Sequence, residues 1–134
     1  PAQLIEPTLE NVSRVRSTSE FTSVRESLLD ATLRTLEGYN SNTSPLLLRP
    51  QLEDLANRWY YLEKAEDRLG GMNPVAITTL KPRIEALERS LQNDHTLSSE
   101  VSRAFSAYGL SDCSSVVAML KGMAGLNNST PGNS

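Results

Sequence analysis

One histidine, His95, one cysteine, Cys113, and a run of carboxylates among leucines are the groups through which this chain could do chemistry. A cysteine nucleophile needs a base beside its thiol, and an imidazole is the usual one. Cys113 falls in the first turn of a predicted helix, where backbone amides favour a thiolate. His95 stands between Asp94 and Thr96 in a predicted turn, and sequence spacing alone does not bring the two together. A small residue opening a helix accounts for Cys113 more simply. A single Cys and a single His also leave no ligand set for a multi-cysteine or multi-histidine metal site within the chain.

Glu53, Asp54, Glu63, Glu66 and Asp67 form the densest acidic group. Glu63 and Asp67 are four residues apart and share a helical face, but a cation would need further oxygen ligands. No calcium-loop spacing supplies them. A solvated acidic face fits better. The basic residues are dispersed, with Glu10, Glu20 and Glu26 interrupting Arg14, Arg16 and Arg25. Folding would have to gather Arg14, Arg16, Arg83 and Arg103 to make a phosphate-binding surface. Net charge is -3 and the isoelectric point about 5.2, so there is no broad basic footprint for nucleic acid. The glycines form neither a phosphate-binding loop nor a dinucleotide motif. No catalytic residue, metal ligand or cofactor is assigned.

Aromatic and sulfur side chains carry a different signal. Trp59 belongs to an apolar stripe and is expected in the core, where its indole nitrogen needs a hydrogen-bond partner. Tyr60 and Tyr61 follow it, and each helical step turns about 100° away. At least one of them is therefore expected at the surface. Met119 and Met123 lie on the last predicted helix, and methionine adapts to irregular contact surfaces. Tyr60, Tyr61, Met119 and Met123 are the candidate interface residues.

The elements that must position these residues are helical. Aromatic residues make up only 5% of the 134, and leucine dominates the apolar share, which suits helices better than sheets. An extended leader is expected over residues 1–7. A helical pattern then runs to Glu37, with starts open at Thr8 and, by capping-box spacing, at Ser17 with Glu20 or Ser23 with Glu26. Its serines and threonines weaken it enough to allow a break near Ser17 to Ser19. Residues 39–49 read as a loop in which Leu46, Leu47 and Leu48 cover one end of the core. A second helix starts at Pro50 and carries Leu52, Leu55, Trp59, Leu62, Ala65 and Leu69 at steps of three and four. A third starts after Asn73, with Ile77, Leu80, Ile84, Leu87 and Leu91 forming a seam of little more than two heptads. Its unbroken spacing favours a proline kink at Pro82 over a fresh start there. Two shorter helices follow, over 97–108 and from about Ser111 to Ala124, and a polar tail covers 127–134.

These readings predict an all-α fold, a four- or five-helix bundle occupying residues 8–126 as a single domain. Leu28, Leu36, Trp59, Leu62, Leu80, Ile84 and Leu87 are the main core positions. The expected function is noncatalytic, a protein-protein interaction or assembly module whose partner is another protein or a second copy. A structural subunit of a coat or nucleocapsid is the first alternative, and a small enzyme or ligand receptor the second. Neither a membrane span nor a signal peptide is visible, which favours an intracellular setting. Asn-x-Ser/Thr patterns at Asn11, Asn42, Asn127 and Asn128 would matter only in a secretory compartment.

Overall fold

The computed structural model describes residues 4–40 and 42–126. Among them are six α-helices, not four or five. They are α1 (Leu9–Ser13), α2 (Thr18–Glu37), α3 (Pro45–Arg68), α4 (Lys81–Asn93), α5 (His95–Ser106) and α6 (Cys113–Met123), with a single 3-10 turn, Thr78–Leu80, before α4.

The extra helix comes from the break in the serine-rich segment. Ser17 is the N-cap of α2, its side chain accepting from the Glu20 amide at 3.1 Å. Glu20 returns a carboxylate oxygen to the Arg16 amide at 2.8 Å. Two donors without intrahelical partners are satisfied together, so the chain restarts a helix there instead of running through. Thr8 caps the short α1 in the same manner, accepting from the Asn11 amide. Residues 4–8 before it carry no regular secondary structure, and the Ile5 amide donates to Ser23 Oγ on α2.

The prolines act opposite to the expectation. Pro82 sits in the first turn of α4, where a missing N–H costs nothing. The seam is therefore split, with Ile77 half-buried in the preceding strap, Leu80 in the 3-10 turn, and Ile84, Leu87 and Leu91 on α4. Asn73 caps no helix. The proline kink falls instead at Pro50, inside α3. Helix α3 begins five residues earlier than its periodicity suggests because Ser44 caps it, accepting from the Leu46 amide. The three leucines are thus a helical turn and not a loop cover. Leu48 is buried, while Leu46 and Leu47 remain 85% and 67% exposed.

Helices α2 and α5 are the bridges of the bundle. Each packs against α3 on one side and against α4 and α6 on the other, and α4 also packs on α6. Helix α1 closes the α3 side against α2 and α3. Every core position named from the sequence is buried: Leu28, Leu36, Trp59, Leu62, Leu80, Ile84 and Leu87. Trp59 finds its partner in Thr32, whose hydroxyl accepts the indole N–H at 3.0 Å and donates to the Leu28 carbonyl at 2.7 Å. This buried chain of hydrogen bonds fixes the register of α3 on α2. Arg49 at the start of α3 reaches Glu100 on α5 with two bonds, 2.6 and 3.0 Å, and holds that carboxyl below the usual range. The tail over 127–134 lies outside the described residues, as do the patterns at Asn127 and Asn128.

The C-terminal end of α6 is anchored by backbone. The Ile77 amide donates to the Ala124 carbonyl at 2.8 Å, and Gly125 turns with φ +73° directly against the backbone of Val75 and Ala76. A side chain there would meet main-chain atoms at 2.8–3.0 Å.

Candidate functional site

The apolar stripe of α3 points inward through Leu52, Leu55, Ala56, Trp59, Leu62 and Ala65. Tyr60 and Tyr61 are therefore carried outward, and they are 37% and 40% exposed. Their rings do not separate to opposite faces. They meet edge to face with centroids 5.5 Å apart, and Tyr60 also leans on Tyr108 at 5.4 Å. Lys64, one turn further along α3, places its ammonium 4.7 Å from the centre of the Tyr60 ring. Tyr108 belongs to the turn leaving α5, where the Leu110 amide donates back to the Phe105 carbonyl and Gly109 takes φ +88°. That turn sets Tyr108 beside Tyr60.

Leu110, on the other side of the same turn, lines a groove between α3 and α6. The two helices make no close backbone approach, and the space between them has a volume of about 520 Å³. Glu63 and Glu66 form its α3 wall, and Ser115, Ala118, Met119, Gly122 and Met123 its α6 wall. The four candidate residues thus fall in two pairs on either side of the 108–110 turn. Tyr60 and Tyr61 are in the aromatic cluster, and Met119 and Met123 border the groove. Met119 is half-buried, whereas Met123 is 6% exposed and belongs to the core.

The acidic group divides accordingly. Glu53, Asp54 and Asp67 are solvated, but Glu63 and Glu66 are half-buried. Burial pushes the Glu63 carboxyl above the usual range, and the charges of Glu66 and Asp67 push it further. Glu66 is raised by burial and by Asp67, against an opposing pull from Arg25. Arg25 itself lies 3% exposed on α2, its guanidinium 5.8 Å from the centre of the Phe21 ring and its Nε without a partner. Desolvation lowers its pKa.

This arrangement gives a pH prediction. A carboxyl whose folded pKa is raised binds its proton more readily in the native state, so stability falls as pH rises from the ordinary value of 4.5 through the raised one. Glu63→Gln with Glu66→Gln is expected to raise the thermal midpoint at pH 7. The gain should shrink as pH falls toward 4.5, as the native carboxyls take up protons ahead of the unfolded ones. Thermal melts across that range check both the sign and the window.

The other chemical candidates are not brought together. The Cys113 thiol donates to the Ser98 carbonyl at 3.2 Å and lies 3.5 Å from Ser102 Oγ. His95 is exposed at the start of α5 and is not among its partners. A cleft of about 300 Å³ beside Cys113 is bordered by Lys121 and Glu88, which pair with each other at 3.3 Å. Among the described residues no three His, Cys, Asp or Glu side chains are grouped to hold a metal ion. Arg14 pairs with Glu10, and Arg83 with Asp30 and Glu37, so these cations already hold carboxylates. Among the described residues no helix is long and apolar enough to cross a membrane.

Tyr108 and Leu110 are the members of this surface that sequence spacing does not single out as contact residues. Tyr108 continues the apolar face of α5 in the pattern, and only the Gly109 turn shows that the chain leaves the helix before it. Comparison of the chain with protein-family models, curated proteins and solved structures finds no match.

Proposed function

We propose that this protein is a noncatalytic protein-protein interaction or assembly module. The contact surface is the aromatic cluster of Tyr60, Tyr61 and Tyr108 together with the adjoining α3–α6 groove. The observation that carries this reading is the aromatic cluster itself. Tyr60 and Tyr61 stay more than a third exposed beside a half-buried Tyr108, and the Tyr60 ring contacts both of the others. Ordered tyrosines offer large contact area at a small entropic cost, which is why they concentrate at binding hot spots. Leu9 on α1 and Leu46 and Leu47 in the first turn of α3 are also exposed, but these are aliphatic side chains without the ring contacts that order the tyrosines.

A photo-cross-linking residue placed at Tyr61 or at Met119, in the protein's native cells, should give discrete adducts. The same residue at exposed Glu85 on α4 should give none. The adduct mass separates a second copy of this chain from a different protein. Absence of adducts at both positions contradicts the proposal. Tyr60→Ala is expected to weaken the captured complex by about 2 kcal/mol, roughly thirtyfold, with helix content unchanged. Met123 is too deeply buried for the same test, since its truncation would cost about 2–5 kcal/mol of fold stability.

A further inference from the structure

The α3–α6 groove combines an apolar floor with two half-buried carboxylates and no basic side chain on either wall. We propose that it receives a cationic amphipathic helix of a partner protein, an inference that rests on the interaction-module reading and specifies its partner. An apolar side chain of that helix would lie against Leu110 and Met119, and flanking Lys or Arg side chains would reach Glu63 and Glu66. Charge complementarity argues for this occupant. Glu63 and Glu66 are one helical turn apart on the same wall and form no salt bridge among the described residues. Glu63 is crowded by Glu66 and Asp67, and Glu66 by Asp67 against the pull of Arg25, so an arriving cation relieves repulsion as well as forming a bond.

Lys64 lies over the Tyr60 ring and Lys121 pairs with Glu88, while Arg25, buried on α2, opposes the rise at Glu66 without forming a salt bridge to it. Residues 127–134 contain no Lys or Arg and cannot supply the charge. The opposite wall is small and uncharged at Ser115, Ala118 and Gly122, which leaves room for a helix to approach, and Met119 can repack around different apolar groups.

The test uses the full chain and a labelled helical peptide of about 16 residues, with Leu on one face and Lys on the flanking positions. Versions with every Lys replaced by Gln or by Glu serve as controls. Fluorescence anisotropy should show binding of the Lys peptide, about tenfold weaker for the Gln version and lost for the Glu version. Glu63→Gln with Glu66→Gln should weaken the Lys peptide about tenfold, while Glu53→Gln with Asp54→Asn on the solvated part of α3 should not. Amide resonances of residues 63–66 and 110–123 should shift on binding. No binding of the Lys peptide, equal binding of all three versions, or indifference to the Glu63 and Glu66 changes overturns the inference. So does self-association of the protein alone that the same two changes abolish, which would make a second copy the occupant. Cross-linking at Tyr61 to a partner, with no binding of the Lys peptide, removes this inference and leaves the interaction reading standing.

Discussion

Ile84→Asp is expected to unfold the protein at neutral pH. Ile84 is fully buried on α4, a helix that packs against α2, α5 and α6. An aspartate there must keep a charge away from water or take up a proton against its ordinary pKa. It also gives up the apolar contacts of the isoleucine. The combined cost is roughly 4 kcal/mol or more, close to the whole stability of about 5–15 kcal/mol expected of a small domain. Ile84→Val, which removes one methylene, should cost only about 1 kcal/mol. Urea denaturation followed by the fluorescence of Trp59 measures both. A midpoint for Ile84→Asp equal to that of the parent would mean that α4 does not face the core.

Gly125→Ala is expected to be the most damaging single methyl that can be added to the described glycines. Two effects coincide at this position. Its φ of +73° is one that side chains rarely adopt, and the new carbon would lie 2.8 Å from the Ala76 Cα. The three nearest atoms, Ala76 Cα, Ala76 N and Val75 C, are all backbone and cannot swing aside as a flexible side chain could. The 75–77 strap must move, and the bond from the Ile77 amide to the Ala124 carbonyl is loosened with it. The expected loss is about 2–4 kcal/mol. Gly109 separates the two causes, because its φ is +88° but nothing lies within 4 Å of an added carbon. Gly109→Ala should lose only the conformational part, about 1–2 kcal/mol. Equal losses at the two positions would show that the strap does not press on Gly125.

How far the fold is legible in the sequence depends on which interaction decides each element. The α3 stripe and the Ile84, Leu87 and Leu91 positions are set by burial of one helical face, and that periodicity is written in the chain. The indole of Trp59 needed a partner, and Thr32 supplies it from a different helix, a pairing that no local pattern specifies. Boundaries follow caps and prolines, where neighbouring signals compete. Ser44 outweighs Pro50 as a helix start, and Pro82 opens α4 although the leucine spacing runs through it. The break near Ser17 was readable because serines and threonines weaken the helix there and Ser17 and Glu20 stand at capping-box spacing. Ser17 Oγ accepts from the Glu20 amide, and the Glu20 carboxylate accepts from the Arg16 amide.

The candidate surface was legible only in part, for a related reason. Tyr60 and Tyr61 had to leave the core once Trp59 entered it, and the structure places both on the exterior of α3. Their contact with Tyr108 and the proximity of Leu110 to Glu63 depend on how α5 and α6 fold back, which is tertiary information. Met119 and Met123 look alike in the pattern and both border the groove, yet Met119 is half-buried there while Met123, one turn on, is buried in the core. Glu63 and Glu66 read as ordinary surface charges. They are half-buried where they face the α6 wall across the groove, a placement that depends on how α6 folds back.

The account rests on the aromatic cluster and groove being covered when the protein is at work. Hydroxyl-radical footprinting compares side-chain reactivity in the purified chain with that in the assembly isolated from its native source. The account predicts that Tyr60, Tyr61 and Met119 react in the purified chain and are protected in the assembly, while Tyr39, half-buried after α2, reacts equally in both. Unchanged reactivity of Tyr61 and Met119 in the assembly, with protection elsewhere, would contradict it.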